Sequence, residues 1–401
     1  MRIGRVVRQL GDRFVVECLD GEAVRVLGPA QPGDWVRLHG VRDGSDGWRE
    51  ADRAEVIAPS RNTDFPSPRG EWFRLRDHQG RRLANLRRRA AALAAVRRFF
   101  EQHEFLEIEA PLMVPSPGLE LHLDAYAVEH RYLITSPEYQ LKRLLAAGLP
   151  RIWSHCRCFR RGEAGPHHNP EFSMIEFYRA PGTWEEIARD VERLVAHVVH
   201  ALHGGLAITY RGQALDFTPP WQWLSVREAM AQNARVELDG DETAEALAAR
   251  ARAAGFHVPD GTRWDDAFFS VFLEAVEPAL GVGKPTILFD WPAPLAALAR
   301  RSSADPRVVE RFEAYAGGLE LCNGFGELTD PVEQRARLEK DAAERRARGL
   351  PVYPIDEKFL AALEEGLPPS GGVAVGFDRL VMLACDAATI REVSAFTIDE
   401  L

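Results

Sequence analysis

The chain has 401 residues, with 50 basic against 60 acidic side chains and a formal net charge of −10. Apolar residues make up 46% and charged residues 27%, the balance of a globular chain long enough for two or three domains. No run of about 18 apolar residues occurs, the opening MRIGRVVRQLGDRF lacks a secretory leader's apolar stretch, and the five cysteines show no disulfide spacing. Membrane spanning and secretion are thereby set aside, and a reducing, cytoplasmic setting is expected.

The charge is unevenly spread. Residues 1–60 carry nine arginines against ten acids, and residues 61–100 carry eleven arginines against three acids. Five short valine-rich runs within 1–60 (GRVVRQL, RFVVECL, EAVRVLG, DWVRLHGV, AEVIAP), punctuated by Gly-Asp and Asp-Gly pairs, predict a small OB-like β-barrel. Its charge is near neutral and its only aromatics are Phe14, Trp35 and Trp48, so it reads as a docking or scaffolding module rather than a nucleic-acid surface. Residues 61–80 have two prolines and no sustained period, and are read as a linker. From Arg82 onward Leu83, Leu86, Ala90, Leu93 and Phe100 fall at helical spacing. FLEIEAPLM (105–113) then alternates like a strand and stops at Pro111.

Helical patterns follow at 138–147, 184–202, 242–254, 333–348 and 356–365, between the strand-like runs RIWSHCRCF, FSMIEFYRA, PTILFDW and LELCNGFGEL. They do not alternate as βαβ units do, so residues 81–401 predict an α+β domain with an antiparallel sheet flanked by helices.

Two apparent motifs fail on inspection. GVGKPT (281–286) has prolines at 278 and 285, where a phosphate-binding loop needs glycine and a hydroxyl residue. Cys156 and Cys158 share a strand face but have no second pair at metal-ligand spacing, so they read as packing.

Three runs instead place charge where a strand should be covered, which is costly unless something charged binds there. In CRCFRRGEAGPHHNPEFSMIEFYR (156–179) a strand carrying Arg157 and Arg160 leads into a loop with Glu163 and His168. The second strand returns with Phe172, Glu176 and Tyr178, the last two on one face. Arginine's planar fork suits phosphate. RFEAYAGGLELCNGFGELTD (311–330) spaces Glu313, Glu320 and Glu327 seven apart. A regular strand would put Glu320 with Cys322 and Gly324, and Asn323, Phe325 and Glu327 on the other face. Carboxylates facing a polyphosphate are natural magnesium ligands. In SGGVAVGFDRLVMLA (370–384) small residues permit close approach of a ligand before Asp378 and Arg379 open an apolar helix.

These runs resemble motifs 2 and 3 of class II aminoacyl-tRNA synthetases of the lysyl type, and FLEIEAPLM resembles motif 1. TSPEYQLKRLL, HNPEFSMIEFYR, LELCNGFGELTD and RARGLPVYPID bring the likeness closer to the elongation factor P lysine ligases, truncated paralogues of lysyl-tRNA synthetase. The resemblance spans residues 82–401. It implies that Arg160 holds the α-phosphate of ATP, and that Phe172 and Arg379 sandwich adenine with Arg379 near the γ-phosphate. By the same likeness His168 and Asn169 contact phosphates or order their loop, and Glu313 and Glu320 hold magnesium. Ser136, Glu138, Glu176, Tyr178, Asn323, Phe325, Glu327 and Ala374 would line the amino-acid pocket. A homodimer through motif 1 is also implied.

The sequence departs from the lysyl pattern at two places. The motif 2 glutamate belongs at the position of Gly162, and Glu163 stands one place later. Motif 3 reads Gly-Val-Ala374-Val-Gly, where tRNA-charging enzymes resemble Gly-x-Gly-x-Gly, and in the ligase family the alanine accompanies preference for (R)-β-lysine. The leading expectation is therefore ATP-dependent activation of (R)-β-lysine and its transfer to a lysine of elongation factor P. The alternatives are a lysyl-tRNA synthetase using residues 1–60 on the anticodon, and a non-catalytic lysine-binding paralogue.

Overall fold

The computed structural model describes residues 2–62, 64–121 and 123–401. Contacts divide the chain into two units, Met1–Ala84 and Asn85–Leu401.

The first unit holds β1 (Arg2–Leu10), β2 (Arg13–Cys18), β3 (Ala23–Leu27), β4 (Trp35–His39), β5 (Arg42–Asp43), β6 (Arg49–Ala51) and β7 (Arg53–Ala58). They form one seven-stranded sheet in the order β5-β6-β3-β2-β1-β4-β7. Val6, Phe14, Val16, Val24, Val26, Val36 and Leu38 turn inward as its core, the alternation that the valine-rich runs encode. Strands β5 and β6 are additional to the five runs expected. They are too short to show a period.

Helix α1 (Glu71–Gln102) begins well before the change of period at Arg82 and so takes up the second half of the expected linker. Its first turns are anchored by a single aromatic rather than an apolar stripe. Trp72 meets Trp35 edge-on at 6.2 Å and Phe65 at 5.7 Å, and Arg76 pairs with Glu17 at 2.7 Å.

The second unit is built on an eight-stranded sheet. Its elements in chain order are β8 (Leu106–Glu107), β9 (Met113–Val114), β10 (Ala127–Val128), β11 (Arg131–Leu133), α2 (Glu138–Ala146), β12 (Arg151–Phe159), β13 (Glu171–Arg179) and α3 (Trp184–His203). There follow β14 (Ala207–Tyr210), β15 (Gln213–Asp216), β16 (Gln222–Ser225), α4 (Val226–Ala234), α5 (Ala244–Ala253), α6 (Trp264–Val271) and β17 (Thr286–Pro292). The last are β18 (Val308–Ala316), β19 (Leu319–Gly326), α7 (Pro331–Ala347), α8 (Glu357–Gly366), β20 (Gly371–Gly376) and α9 (Phe377–Ala384). The large sheet runs β16-β17-β18-β19-β20-β13-β12-β8. It is antiparallel except at its two ends, where β16–β17 and β12–β8 pair in parallel. The strand expected to stop at Pro111 is only β8 (Leu106–Glu107), and beyond the proline Met113 begins β9 in a different sheet.

One face of the sheet is apolar. Ile175, Phe177, Phe312, Ala314, Val373 and Val375 pack against Ile187, Val191, Leu194 and Val198 of α3 and Val96, Phe99 and Phe100 of α1. Helix α3 is delimited as its sequence dictates: Thr183 and Glu186 form a capping box, and Gly204 closes the helix in the left-handed region. The residues between those core positions point to the opposite face, and that face carries the charged residues.

Candidate active site

Strand registration places the polar residues in a row. Glu313 is opposite Asn323, Asn323 opposite Ala374, Ala374 opposite Glu176 and Glu176 opposite Ser154, crossing five neighbouring strands. Two residues along, Arg311, Phe325, Gly372 and Tyr178 make a parallel row. Gly372 has to be glycine, since a Cβ there would collide with the Tyr178 ring and Glu327 Oε1. Glu320 joins this face only because β19 carries a bulge. Ala314 pairs with Cys322 and Tyr315 with Glu320, so Leu321 is the extra residue. The regular alternation expected for this strand is thereby broken, and Glu320 lines the same cavity as Asn323 and Phe325.

That cavity is lined from the three charged runs and from TSPEYQ: Ser136, Glu138, Arg160, Glu163, His168, Asn169, Phe172, Glu320, Asn323, Phe325, Ala374 and Arg379. Glu176, Tyr178, Glu313 and Glu327 are buried beside this lining.

One end is cationic. Arg160 follows β12 directly, its guanidinium 5.0 Å from the Phe172 ring centre, and its Nε has no hydrogen-bond partner among the described residues. Gly162 turns the chain with φ +87°, and Glu163 comes back to 3.8 Å from Arg160. Arg379 donates from Nη1 to the Glu320 carbonyl (2.9 Å) and carboxylate (3.2 Å), and from Nη2 to His168 Nε2 (2.5 Å). Loss of solvation and the adjacent Arg379 charge lower the His168 pKa, consistent with a neutral ring that accepts. The start of α9 is fixed by Asp378, which pairs with Arg89 at 2.5 Å and accepts the Ser173 N–H at 2.7 Å. Asn169 is turned into its own loop, donating from Nδ2 to the Glu171 carbonyl at 2.6 Å.

The other end is anionic and mostly buried. Tyr178 donates to Glu176 Oε1 (2.5 Å) and Ser136 to Glu176 Oε2 (2.7 Å). Burial and then repulsion by Glu138 push the Glu176 carboxyl up to about 8 against these hydrogen bonds. Lys142, 1% exposed, sits 2.5 Å from both Glu138 Oε1 and Glu327 Oε2. Burial works against its ammonium, but the two carboxylates outweigh it and hold the pKa above the usual lysine value. Glu327 is pushed up by burial against the pull of Lys142, and its Oε1 has no hydrogen-bond partner among the described residues. Between the two ends, Arg311 reaches Glu313 Oε1 (2.6 Å) and Asn323 (3.2 Å), and Tyr315 reaches Glu313 Oε2 (2.5 Å). Burial raises the Glu313 carboxyl to about 7, with Arg311 opposing and Glu320 adding to the rise.

Lys142 and Arg311 were not picked out from the sequence. Lys142 is on helix α2 at i+4 from Glu138, and it is one of only four lysines in the chain, which was the available signal. Cys156 and Cys158 are side by side (Sγ to Sγ 3.6 Å), buried with Met174 beneath Phe172 and Ala374. All five cysteines are buried and unbridged.

Residues 70–400 match the family of tRNA synthetases class II (D, K and N). The chain is 41% identical over 328 residues to the elongation factor P–(R)-β-lysine ligase of Klebsiella pneumoniae subsp. pneumoniae, covering 79% of this chain and 96% of that one. It is 40% identical over 329 residues to the protein of the same name from Salmonella dublin, with the same coverage. With the cross-strand row and the arginines beside it, these likenesses mean that the chain belongs to the class II synthetase family and, within it, to the family of the elongation factor P–(R)-β-lysine ligases.

Proposed function

We propose that this chain activates (R)-β-lysine with ATP and transfers it to a lysine side chain of elongation factor P. The observation that carries the reading is the polarity of the cavity, with the guanidinium groups of Arg160 and Arg379 at one end and a buried carboxylate cluster at the other. Three carboxyl groups, Glu138, Glu176 and Glu327, surround one internal cation, Lys142, so an arriving ammonium finds carboxyl groups in excess of the cation and can draw the raised Glu176 into its ionised form. The Ala374 methyl sits in the row between Asn323 and Glu176, on the floor where an amino group moved one carbon along the chain would rest.

In the proposed chemistry the substrate carboxylate attacks the α-phosphorus of ATP and pyrophosphate leaves. The lysine amine of the acceptor then attacks the acyl carbon, loses its proton, and AMP leaves with the bonding electrons. Arg160, with its free Nε, stabilises charge growing on the α-phosphate, and Arg379 takes the far end of the triphosphate. Phe172 offers a ring face to the adenine, and Glu163 is close enough to Arg160 to orient it. His168 holds Arg379, and Asn169 orders the loop. Glu313 and Glu320 are hard oxygen donors whose mutual repulsion a cation would relieve, so they fit a magnesium ion, which supplies charge neutralisation to the triphosphate.

A homodimer is part of the proposal, resting on Leu106, Leu112 and Met113 of the motif 1 segment, which lie 52%, 42% and 46% exposed. So is a cytoplasmic location, supported by the five unbridged cysteines; no helix among the described residues is long and apolar enough to cross a membrane. The test offers the chain ATP, magnesium and (R)-β-lysine with elongation factor P and tRNA together, and weighs both acceptors by mass spectrometry. A mass gain on elongation factor P is expected. Charged tRNA with unmodified protein would contradict the reading.

A further inference from the structure

The loop that carries His168 and Asn169 rests on residues 388–400, where one sequence pattern occurs twice: TIRE (389–392) and TIDE (397–400). Each forms a short 3-10 turn, Ile390–Val393 and Ile398–Glu400. In each, the threonine N–H is taken by the glutamate three residues on: Thr389 to Glu392 Oε1 at 3.0 Å, Thr397 to Glu400 Oε2 at 2.9 Å. The glutamate N–H groups return to the threonine carbonyls at 3.1 and 3.0 Å. A helix start leaves its first N–H groups without internal partners, and the capping pattern satisfies only those at the cap.

The N–H of the isoleucine that opens each turn is spent on the loop. Ile390 donates to the Pro166 carbonyl at 2.8 Å, and Ile398 donates to Asn169 Oδ1 at 3.0 Å. A third contact joins the His167 ring to the Ala388 backbone. Asn169 is thus held at both ends of its amide, by Ile398 and by Glu171. Arg391 ties the two turns together through Asp399 (3.4 Å) and Glu400 (3.1 Å).

We propose that residues 388–400 form a strap that holds the 160–170 loop in its ATP-binding shape, with Ile390 and Ile398 as positioning residues acting through their backbone N–H groups. This rests on the reading that the loop holds ATP. An unheld loop of this length would lose conformational freedom each time nucleotide bound, and a guanidinium displaced by 1 Å is a poor phosphate ligand.

Ile398→Pro tests it with little collateral change. Proline removes the N–H and suits the first position of a helical turn, and Thr397 is already extended (φ −107°, ψ 165°), as a residue before proline must be. The Ile398 side chain is half exposed, so Ile398→Ala keeps the N–H and serves as the control. The expected result is a rise of about three- to tenfold in KM for ATP in Ile398→Pro, the effect of one hydrogen bond. KM for the amino acid and the melting temperature stay unchanged, and Ile398→Ala behaves as the parent chain. Equal behaviour of the proline and alanine variants, or a melting change without an ATP effect, would overturn the strap.

His168→Ala separates this from failure of the underlying reading. If it leaves KM for ATP unchanged, the loop is not a nucleotide site. If it raises KM while Ile398→Pro does not, the strap alone is wrong. Amide exchange in the unaltered chain gives a second test: ATP should protect the Ile390 and Ile398 N–H groups together with those of Gly165, His167, His168 and Asn169, and unlinked protection contradicts the proposal.

Discussion

The two ends of the cavity are built by different means. The carboxylate end stands on strands and helix α2, its residues fixed by cross-strand registration and buried hydrogen bonds. The arginine end stands on a loop and a helix start, with Arg160 and Arg379 held by few partners and partly open to solvent. Recognition of a small dication requires charges whose desolvation has been met during folding, which a sheet provides. A nucleotide brings its own charges and needs donors that can close on it, which a held loop provides.

The contrast breaks most sharply if the arginine end is removed. Arg160→Ala should cut amino-acid-dependent exchange of pyrophosphate into ATP by about 10²–10³-fold, the scale of one lost transition-state donor. Exchange at the parent rate would end the α-phosphate assignment. At the other end, Lys142→Met leaves Glu138 and Glu327 facing each other inside the protein, and should cost about 3–5 kcal/mol of stability in denaturant unfolding. Lys142→Met with Glu327→Gln should recover part of that loss. A single variant as stable as the parent would mean that the buried charges are not coupled.

Protonation sharpens the comparison. A Glu176 carboxyl held up at about 8 is neutral in the free chain at pH 7, whereas its usual value is 4.5. The neutral form's advantage is complete below pH 4.5 and is lost as pH rises through about 8, so stability should fall across that window relative to Glu176→Gln. A bound ammonium favours the ionised form. Calorimetry in buffers of different ionisation enthalpy should therefore detect proton release on lysine binding near pH 7, absent in Glu176→Gln. The smallest effect belongs to the pocket floor. Ala374→Gly should shift the preference between α-lysine and (R)-β-lysine towards α-lysine by about tenfold, within the ~1–3 kcal/mol that one methyl controls.

How legible each end was in the sequence follows from the same difference. The arginine end was readable because its residues are close in the chain, in one hairpin and one strand-to-helix junction. The carboxylate row was readable where alternation is regular, as for Glu176 with Tyr178, which the structure joins by a hydrogen bond. It failed at Glu320, because a bulge at Leu321 depends on the pairing with β18 and leaves no mark in the sequence of β19 itself. Lys142 was missed because its partners come from i−4 on the same helix and from Glu327, far along the chain. The early start of α1 leaves no periodic mark in the sequence, since Trp72 and the Arg76–Glu17 pair anchor it rather than an apolar stripe.

The central claim is that one cavity joins ATP at its arginines to an amino acid with two ammonium groups at its carboxylates. Amino-acid-dependent ATP–pyrophosphate exchange tests it most directly, run with (R)-β-lysine and with its analogue bearing a hydroxyl in place of the terminal ammonium. The account predicts exchange with (R)-β-lysine and its loss with the analogue; equal exchange with both would contradict it.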